Sequence, residues 1–382
     1  MRILFFATFI FSFHVALNAY INSTFIATAL GENLVGIVYG LAALLSLFGL
    51  TYAPSILRKI GAKRSVLATL LTAATALVLL RITQTPSFVL PLFILYLSMN
   101  TLTFFVFDIL VEHFSKKTNV GHMRGAYLFA TNIAWVFAPL IAGRLVTTGG
   151  MPLLYGIGVL LMLVVATAIV FGLQKYHDVS YERKSLNETF LLLREQPGIR
   201  RVIILNFALQ FFYAWMVIYT PLYLTETIGL SWESTGIIFT IMLLPFVLIQ
   251  YPLGALVDKG IPMHKLMAIG FGISAIATGL LAWTTTPAVL VWAVLLFFTR
   301  VGASIIEASA EFYFFKHVSD KDTHFLRLFR DMSPLAYLIA PPLASIVLYF
   351  STEKTLFIIL AVFFIAIIPY TLRISYEKTN TQ

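Results

Sequence analysis

Hydrophobic residues along the chain form long runs, and the short segments between these runs hold most of the charged residues. A helix needs about 20 apolar residues to cross a hydrocarbon core of about 30 Å. Twelve runs have approximately this length, and we number them spans one to twelve in chain order: 3–22, 34–56, 65–81, 88–111, 125–146, 152–173, 201–224, 234–256, 265–283, 287–310, 329–350 and 355–372. The first run follows Arg2, as in a signal peptide, but its length and the lack of a small-residue cleavage site favour a retained helix. The pattern predicts an all-α membrane protein with twelve transmembrane helices.

The composition agrees with lipid as the main solvent of the chain. Of 382 residues, 59% are hydrophobic and 11% are charged, whereas about a quarter of the residues in a soluble domain are charged. The mean hydropathy is +0.91. Cysteine is absent, which excludes disulfides, thiolate metal ligands and cysteine nucleophiles. We therefore expect an integral multi-pass cell membrane protein with no separate soluble domain, no cofactor and no metal.

The basic residues predict the orientation of the chain. If the N-terminus is cytoplasmic, the inner segments hold 22 of the 26 Lys and Arg residues. Only Arg81, Arg144 and Lys354 then lie outside, and Arg300 falls within a span. Because cytoplasmic loops carry an excess of Lys and Arg, both termini are predicted to be cytoplasmic. The net charge of +9 is thus explained by topology, and we expect no nucleic-acid partner.

The chain contains an internal repeat with an offset of about 200 residues. At this offset Asp108 and Glu112 in span four correspond to Glu307 and Glu311 in span ten. The repeat predicts two pseudo-symmetric six-helix bundles, 1–173 and 201–382, joined by a cytoplasmic linker at 174–200. In the linker, Ser185 and Glu188 form a capping-box pattern before an apolar run, which predicts a short amphipathic helix at the membrane surface.

Short motifs in the inner loops resemble those of the major facilitator superfamily. The run from Gly254 to Gly260, with Asp258 and Lys259, resembles the signature loop between helices two and three of each half in that family. The first copy keeps the basic residues but has Arg58 at the aspartate position. Glu112 followed by Arg124 resembles a glutamate at the end of helix four that precedes an Arg-Gly pair. The resemblance implies a transporter of twelve helices that works by alternating access.

Charged residues inside the spans are the candidates for substrate binding and coupling. Charged groups in hydrocarbon cost at least about 2.5–3.5 kcal/mol, so they should face a cavity or one another. Arg300, near the midplane, lies on nearly the same helical face as Glu307 and Glu311. We expect Arg300 either to contact an anionic or polar substrate group or to serve as counter-ion of Glu307. An arginine that bonds backbone carbonyls between helices is the structural alternative.

The carboxylates of spans four and ten differ in their predicted depth in the membrane. Glu307 and Asp108 lie one to two turns inside the membrane and are candidates for a coupling proton, although a gate pair with a basic residue explains them nearly as well. The predicted gate residues at the inner surface are Asp258, Lys259, Glu112, Arg124, Glu311 and Arg327. A salt bridge there that exists in only one conformational state would act as a latch. A solvated charge that only sets topology is the alternative for Asp258.

Uncharged polar and aromatic residues supply further cavity candidates. His14 and Asn18 share one face of span one, and Gln210 and Tyr213 share one face of span seven. Hydrogen bonding of His14 across helices and simple packing of the aromatic residues are the alternatives. The remaining candidates are Asn100, Asn132 and Trp135.

The sequence carries no phosphate-binding loop, zinc-protease motif or nucleophile elbow, so we expect no enzyme activity. A secondary active transporter for a small solute, with possible proton coupling, is the first expectation, and we expect it to be a monomer in the lipid bilayer. A transporter-fold sensor or scaffold that binds ligand without flux is the second. An intramembrane enzyme acting on lipid is the third.

Overall fold

The computed structural model describes residues 2–83, 85–114, 120–173, 192–318 and 323–376. Within these ranges the chain is almost entirely helical and contains no strand. Many large apolar side chains are exposed, among them Phe171, Ile276 and Val362. Water would oppose such a surface, whereas lipid accepts it.

Every predicted span is helical in the structure. Spans one to six lie in Arg2–Ala19 with Asn22–Leu30, Glu32–Ile82, Pro86–Phe114 and Val120–Gly172. Spans seven to twelve lie in Pro197–Leu222, Trp232–Leu243 with Pro245–Leu248 and Gln250–Asp258, Met263–Trp283, Val289–His317, Thr323–Phe350 and Glu353–Leu372. A π-helical turn, Tyr223–Thr227, follows span seven, and a 3-10 turn, Arg373–Tyr376, follows span twelve.

Two of these helices each contain two spans. Glu32–Ile82 has 51 residues and Val120–Gly172 has 53, about twice the length that one crossing needs. The break in the first is at Gly61, with φ of 80°, and the break in the second is at Gly150, with φ of 67°. Only glycine takes positive φ readily, so the chain reverses direction at these residues with almost no loop. The protein therefore has twelve transmembrane helices in two bundles, as predicted.

Two spans are bent or broken within the membrane. Arg2–Ala19 and Asn22–Leu30 meet at an angle of 44° and together form span one. Span eight is interrupted at Leu244, before Pro245, and again at Ile249. Proline lacks the N–H that an uninterrupted helix would use, and the Ser304 hydroxyl donates a hydrogen bond to the carbonyl of Pro245 at 3.2 Å. A polar group from span ten thus contacts the backbone at the interruption, while the Leu244 N–H donates to the carbonyl of Ile241 that the proline leaves free.

The contacts divide the chain into two compact units. The first comprises Met1–Arg183, Val217–Thr240 and Pro341–Ser345, and the second comprises Lys184–Met216, Ile241–Ala340 and Ile346–Gln382. In the first unit the Ser98 hydroxyl donates to the carbonyl of Ala42 at 2.8 Å and so ties span four to span two. In the second, the Ser274 hydroxyl donates to the carbonyl of Thr299 at 3.0 Å and ties span nine to span ten. These bonds satisfy hydroxyl groups that lipid cannot solvate.

The predicted division at the linker 174–200 remains a prediction, because residues 174–191 lie outside the described part of the chain. This gap includes Ser185 and Glu188. Residues 192–195 are helical, and the next helix begins at Pro197.

Candidate functional site

Arg300 lies deep in the helix Val289–His317, where it is the twelfth of 29 residues. At 1.5 Å per residue it is about 18 Å from the start of that helix. Its side chain is 1% exposed, although arginine is almost never fully buried without a partner. The predicted midplane depth thus coincides with full enclosure by protein.

Two aromatic rings from span seven cover the guanidinium group. The Arg300 Cζ atom lies 5.2 Å from the ring centroid of Phe212 and 5.3 Å from that of Tyr213. A desolvated cation–π contact contributes about 2 kcal/mol or more. Phe212 was not among the predicted site residues, because one phenylalanine among 34 carries no distinguishing signal.

The hydrogen-bonding capacity of Arg300 is not filled. Its Nη1 atom is buried and has no hydrogen-bond partner among the described residues. None of the carboxylates whose side chains the structure describes forms an ion pair with it within 4 Å. The predicted role as counter-ion of Glu307 and the structural alternative of bonding to backbone carbonyls therefore both leave this nitrogen without an acceptor.

Glu307 lies two turns further along the same helix and is half-buried. The Tyr213 hydroxyl donates a hydrogen bond to its Oε2 atom at 2.7 Å. The same tyrosine ring also covers the guanidinium of Arg300. Tyr213 therefore contacts both charged groups, and the predicted residues Tyr213, Arg300 and Glu307 form one cluster.

Glu311, one turn beyond Glu307, has a different kind of partner. Its Oε1 atom lies 3.6 Å from Nη1 of Arg330. Both side chains remain partly exposed. The predicted partner Arg327 has a side chain outside the described part of the structure. Arg330 was not among the predicted gate residues, because a spacing within one helix does not show which face turns toward a neighbour.

His14 and Asn18 take part in a buried network on span one. The Asn18 side-chain amide donates to the carbonyl of His14 at 2.8 Å and lies 3.5 Å from its Nδ1 atom. The His14 Nε2 atom lies 3.2 Å from the hydroxyl of Tyr96. Gly158 packs so closely that an added Cβ atom would lie 3.0 Å from the histidine ring. Tyr96 was not among the predicted site residues, because it lies 82 residues away from His14 along the chain.

An aromatic cluster surrounds Trp135 in the first unit. Its ring meets Tyr20 edge to face at a centroid distance of 6.5 Å, and Tyr20 packs against Phe239 at 4.6 Å. A cavity nearby is lined by Tyr20, Phe239, Gly143 and Gly236, among other residues. Of the predicted cavity residues, Trp135 is the one placed beside this space.

Of the other predicted polar residues, Asn100 joins the network of His14 through a side-chain hydrogen bond with Tyr96. Asn132 and Gln210 are half-buried, and Asn100 is 6% exposed with an Oδ1 atom that has no hydrogen-bond partner in the described part of the chain. Asp108 is half-buried on the helix Pro86–Phe114.

The predicted inner gate is only partly described. Lys259 is exposed just after the helix Gln250–Asp258. The side chains of Asp258, Glu112 and Arg124 lie outside the described part of the structure. The latch between these residues therefore stays a prediction. Among the described residues, no three His, Cys, Asp or Glu side chains gather where they could hold a metal ion.

Comparisons with known proteins give a consistent result. A family model described as the Major Facilitator Superfamily matches residues 4–324 of the chain. A crystal structure of the nucleoside transporter NupG has a TM-score of 0.72 and 13% sequence identity, with 99% of this chain and 99% of that chain covered. An in meso crystal structure of the POT family transporter PepTSo has a TM-score of 0.77 and 12% identity, with 98% and 97% covered. At these identities the two structures are similar to this chain in fold alone. No curated protein sequence matches the chain significantly.

Proposed function

The chain belongs to the major facilitator superfamily and is a multi-pass membrane transporter, and we propose that it moves a small solute by alternating access with Glu307 as the proton-carrying group. The observation that carries the proposal is the cluster of Arg300, Tyr213 and Glu307 inside the membrane-spanning helices. Ionisable groups at this depth are costly and are retained where they bind or couple.

The proposed proton role rests on the difference between two carboxylates. Glu311 is held by the permanent positive charge of Arg330. Glu307 is held by a neutral hydroxyl, and none of the basic side chains that the structure describes forms an ion pair with it within 4 Å. A neutral partner can hydrogen-bond to either protonation state, since a hydroxyl both donates and accepts. Glu307 is therefore the better group to take up and release a proton during a cycle.

Alternating access requires contacts that form in one state and break in another. Spans five and eight pack closely at Gly143 and Gly236, since a Cβ atom added to Gly236 would lie 3.4 Å from the Cα atom of Gly143. We propose that this crossing is one such contact. On the proposed topology, with both termini in the cytoplasm, this crossing lies at the outer side of the membrane. We assign the opposite, inner closure to Asp258, Lys259, Glu112, Arg124 and Glu311, with Arg327 and Arg330 as the basic partners from span eleven.

Reconstitution into liposomes tests the proposed function. The purified chain is first screened by thermal shift against sugars, organic acids, amino acids, short peptides and nucleosides. Each compound that stabilises it is then followed as radiolabelled flux, with and without an inward-directed pH gradient. We expect uptake above the level of protein-free liposomes, and accumulation that depends on the gradient.

Two outcomes would contradict the proposal. Binding of a solute without any flux would indicate the sensor or scaffold alternative. If the solute equilibrates across the membrane but never accumulates under a pH gradient, the protein is a transporter without proton coupling.

A further inference from the structure

We propose that Arg300 is the binding group for a carboxylate or phosphate group of the transported solute, so that the cargo is an organic or inorganic oxyanion. The inference rests on the proposed transporter function and adds the chemical class of its substrate. It is carried by the state of the guanidinium group in the structure rather than by its position in the sequence.

Aromatic rings surround the positive charge of Arg300. Phe212 and Tyr213 cover the Arg300 side chain, and it is 1% exposed. Aromatic faces attract a cation, but they do not replace an oxygen acceptor for its N–H groups. The buried Nη1 atom accordingly lacks a hydrogen-bond partner among the described residues.

The guanidinium group of Arg300 needs a hydrogen-bond acceptor that carries a negative charge. A guanidinium presents paired N–H donors whose spacing matches the two oxygens of a carboxylate or a phosphate. The one carboxylate of the described cluster, Glu307, is engaged with the Tyr213 hydroxyl. An oxyanion on the solute would supply the missing acceptor and the missing negative charge together.

Tyr213 links solute binding at Arg300 to proton exchange at Glu307. Tyr213 contacts the guanidinium with its ring and Glu307 with its hydroxyl. An anion that enters beside Arg300 must displace part of this aromatic cover, and movement of Tyr213 changes the hydrogen bond to Glu307. Among the described side chains, the charged and polar groups around Glu307 are Tyr213, Arg300, Glu311 and Arg330. Their arrangement connects solute binding with proton exchange through one side chain.

Binding measurements on the full-length chain in lipid nanodiscs test this assignment without requiring transport. The probes are acetate, benzoate, inorganic phosphate and phenyl phosphate, each at millimolar concentration, with acetamide, benzamide and phenol as uncharged counterparts. We expect at least one oxyanion to raise the melting temperature of the wild-type protein, and its uncharged counterpart to have no effect. Carboxylates and phosphates form separate arms of the panel, so the result also shows which group is preferred.

Two substitutions distinguish binding from a structural role. Arg300→Gln is expected to abolish the oxyanion-dependent shift in melting temperature. Arg300→Lys keeps the charge but loses the paired N–H donors, so the affinity for the oxyanion should fall at least tenfold. Without ligand, Arg300→Gln is expected to melt at the same or a higher temperature than wild type, because it removes a buried charge with unfilled bonding capacity. Arg81→Gln, at an exposed arginine, serves as the control and should leave the shift unchanged.

The possible results separate this inference from the proposed function. The inference is overturned if no oxyanion stabilises the wild type, if uncharged counterparts stabilise it equally, or if Arg300→Gln keeps the shift. Proton-dependent flux of an uncharged solute would support the transporter proposal while overturning the oxyanion. Oxyanion binding without flux would support the role of Arg300 in oxyanion binding while overturning the transporter proposal.

Discussion

Two carboxylates four residues apart on span ten differ in their partners, and this difference separates their expected roles. Glu307 accepts a hydrogen bond from the Tyr213 hydroxyl, whereas Glu311 pairs with Arg330. We predict that Glu307→Gln keeps the hydrogen bond but cannot change charge. Solute exchange across liposomes should persist, and accumulation driven by a pH gradient should fall at least tenfold.

The measurement compares counterflow, which needs no net proton movement, with gradient-driven uptake in the same preparation. Glu311→Gln is the matched control, since it is expected to affect both processes alike by breaking the ion pair with Arg330. Loss of counterflow and uptake in equal proportion in Glu307→Gln would show that Glu307 has no specific coupling role.

For His14 we predict a structural role, in hydrogen bonding across helices, and no role in coupling. Its ring nitrogen lies 3.2 Å from the Tyr96 hydroxyl in a fully buried setting. His14→Leu removes the histidine partner of the Tyr96 hydroxyl and of the Asn18 side-chain amide, which should destabilise the protein by about 1–3 kcal/mol. Gradient-driven uptake per folded molecule should remain.

The double variant His14→Leu with Tyr96→Phe provides the control. It removes both polar groups, so thermal unfolding should show a smaller loss than the sum of the single losses. Additive losses, or a selective loss of uptake in His14→Leu, would contradict a purely structural histidine.

At the scale of the element, the helices were predictable and the partners of their side chains were not. Runs of about 20 apolar residues follow directly from bilayer thickness, so the spans and the shared face of Arg300 and Glu307 were visible in the sequence. The helix of span ten nevertheless continues to His317, beyond the predicted end at residue 310. Backbone hydrogen bonds extend a helix past its apolar run, because they do not depend on the side chains.

The contacts that complete the site come from other helices. Phe212, Arg330 and Tyr96 are ordinary members of abundant residue types, and only packing selects them. Hydropathy reports burial along one helix and carries no information on the rotation of its neighbour. The repeat was therefore informative about carboxylate positions, and uninformative about which cation each carboxylate meets.

Spans five and eight approach each other at two glycines, and this crossing makes the next prediction. A Cβ atom added to Gly143 would collide with the carbonyl oxygen of Trp232, and one added to Gly236 would lie 2.5 Å from the carbonyl oxygen of Pro139. Backbone atoms cannot move aside as a flexible side chain can. Gly143→Ala should therefore disfavour the state in which this crossing is closed, while a state with the two helices apart is unaffected.

A single introduced cysteine reports on this shift, since the natural chain has none. Thr235→Cys places a thiol at a fully buried position beside the crossing. Labelling by a membrane-impermeant maleimide from the outer side should be several-fold faster with Gly143→Ala than without it. Gly272→Ala, where an added Cβ meets nothing within 4 Å, should leave the labelling rate unchanged. Equal rates in all three backgrounds would remove the crossing from the gating scheme.

For the molecule as a whole, the direction of insertion governs every assignment of an inner or an outer gate. The positive-inside count predicts that residues near 261 lie in the cytoplasm and residues near 285 outside. The helix Met263–Trp283 connects these two positions in one crossing, and both Ile261 and Thr285 are exposed at its ends. We predict that an impermeant maleimide applied to intact cells labels Thr285→Cys and does not label Ile261→Cys.

Permeabilised cells provide the control, because both thiols should then react at similar rates. The reverse labelling pattern in intact cells would show that the protein has the opposite orientation in the membrane. The crossing of Gly143 with Gly236 would then lie on the cytoplasmic side, and the signature loop with Asp258 would face outward. The cluster of Arg300, Tyr213 and Glu307 would keep its depth in either orientation, because Arg300 lies about 18 Å along its helix from one end and about 25 Å from the other. Orientation therefore decides which gate opens to which compartment, and leaves the proposed oxyanion site between the two.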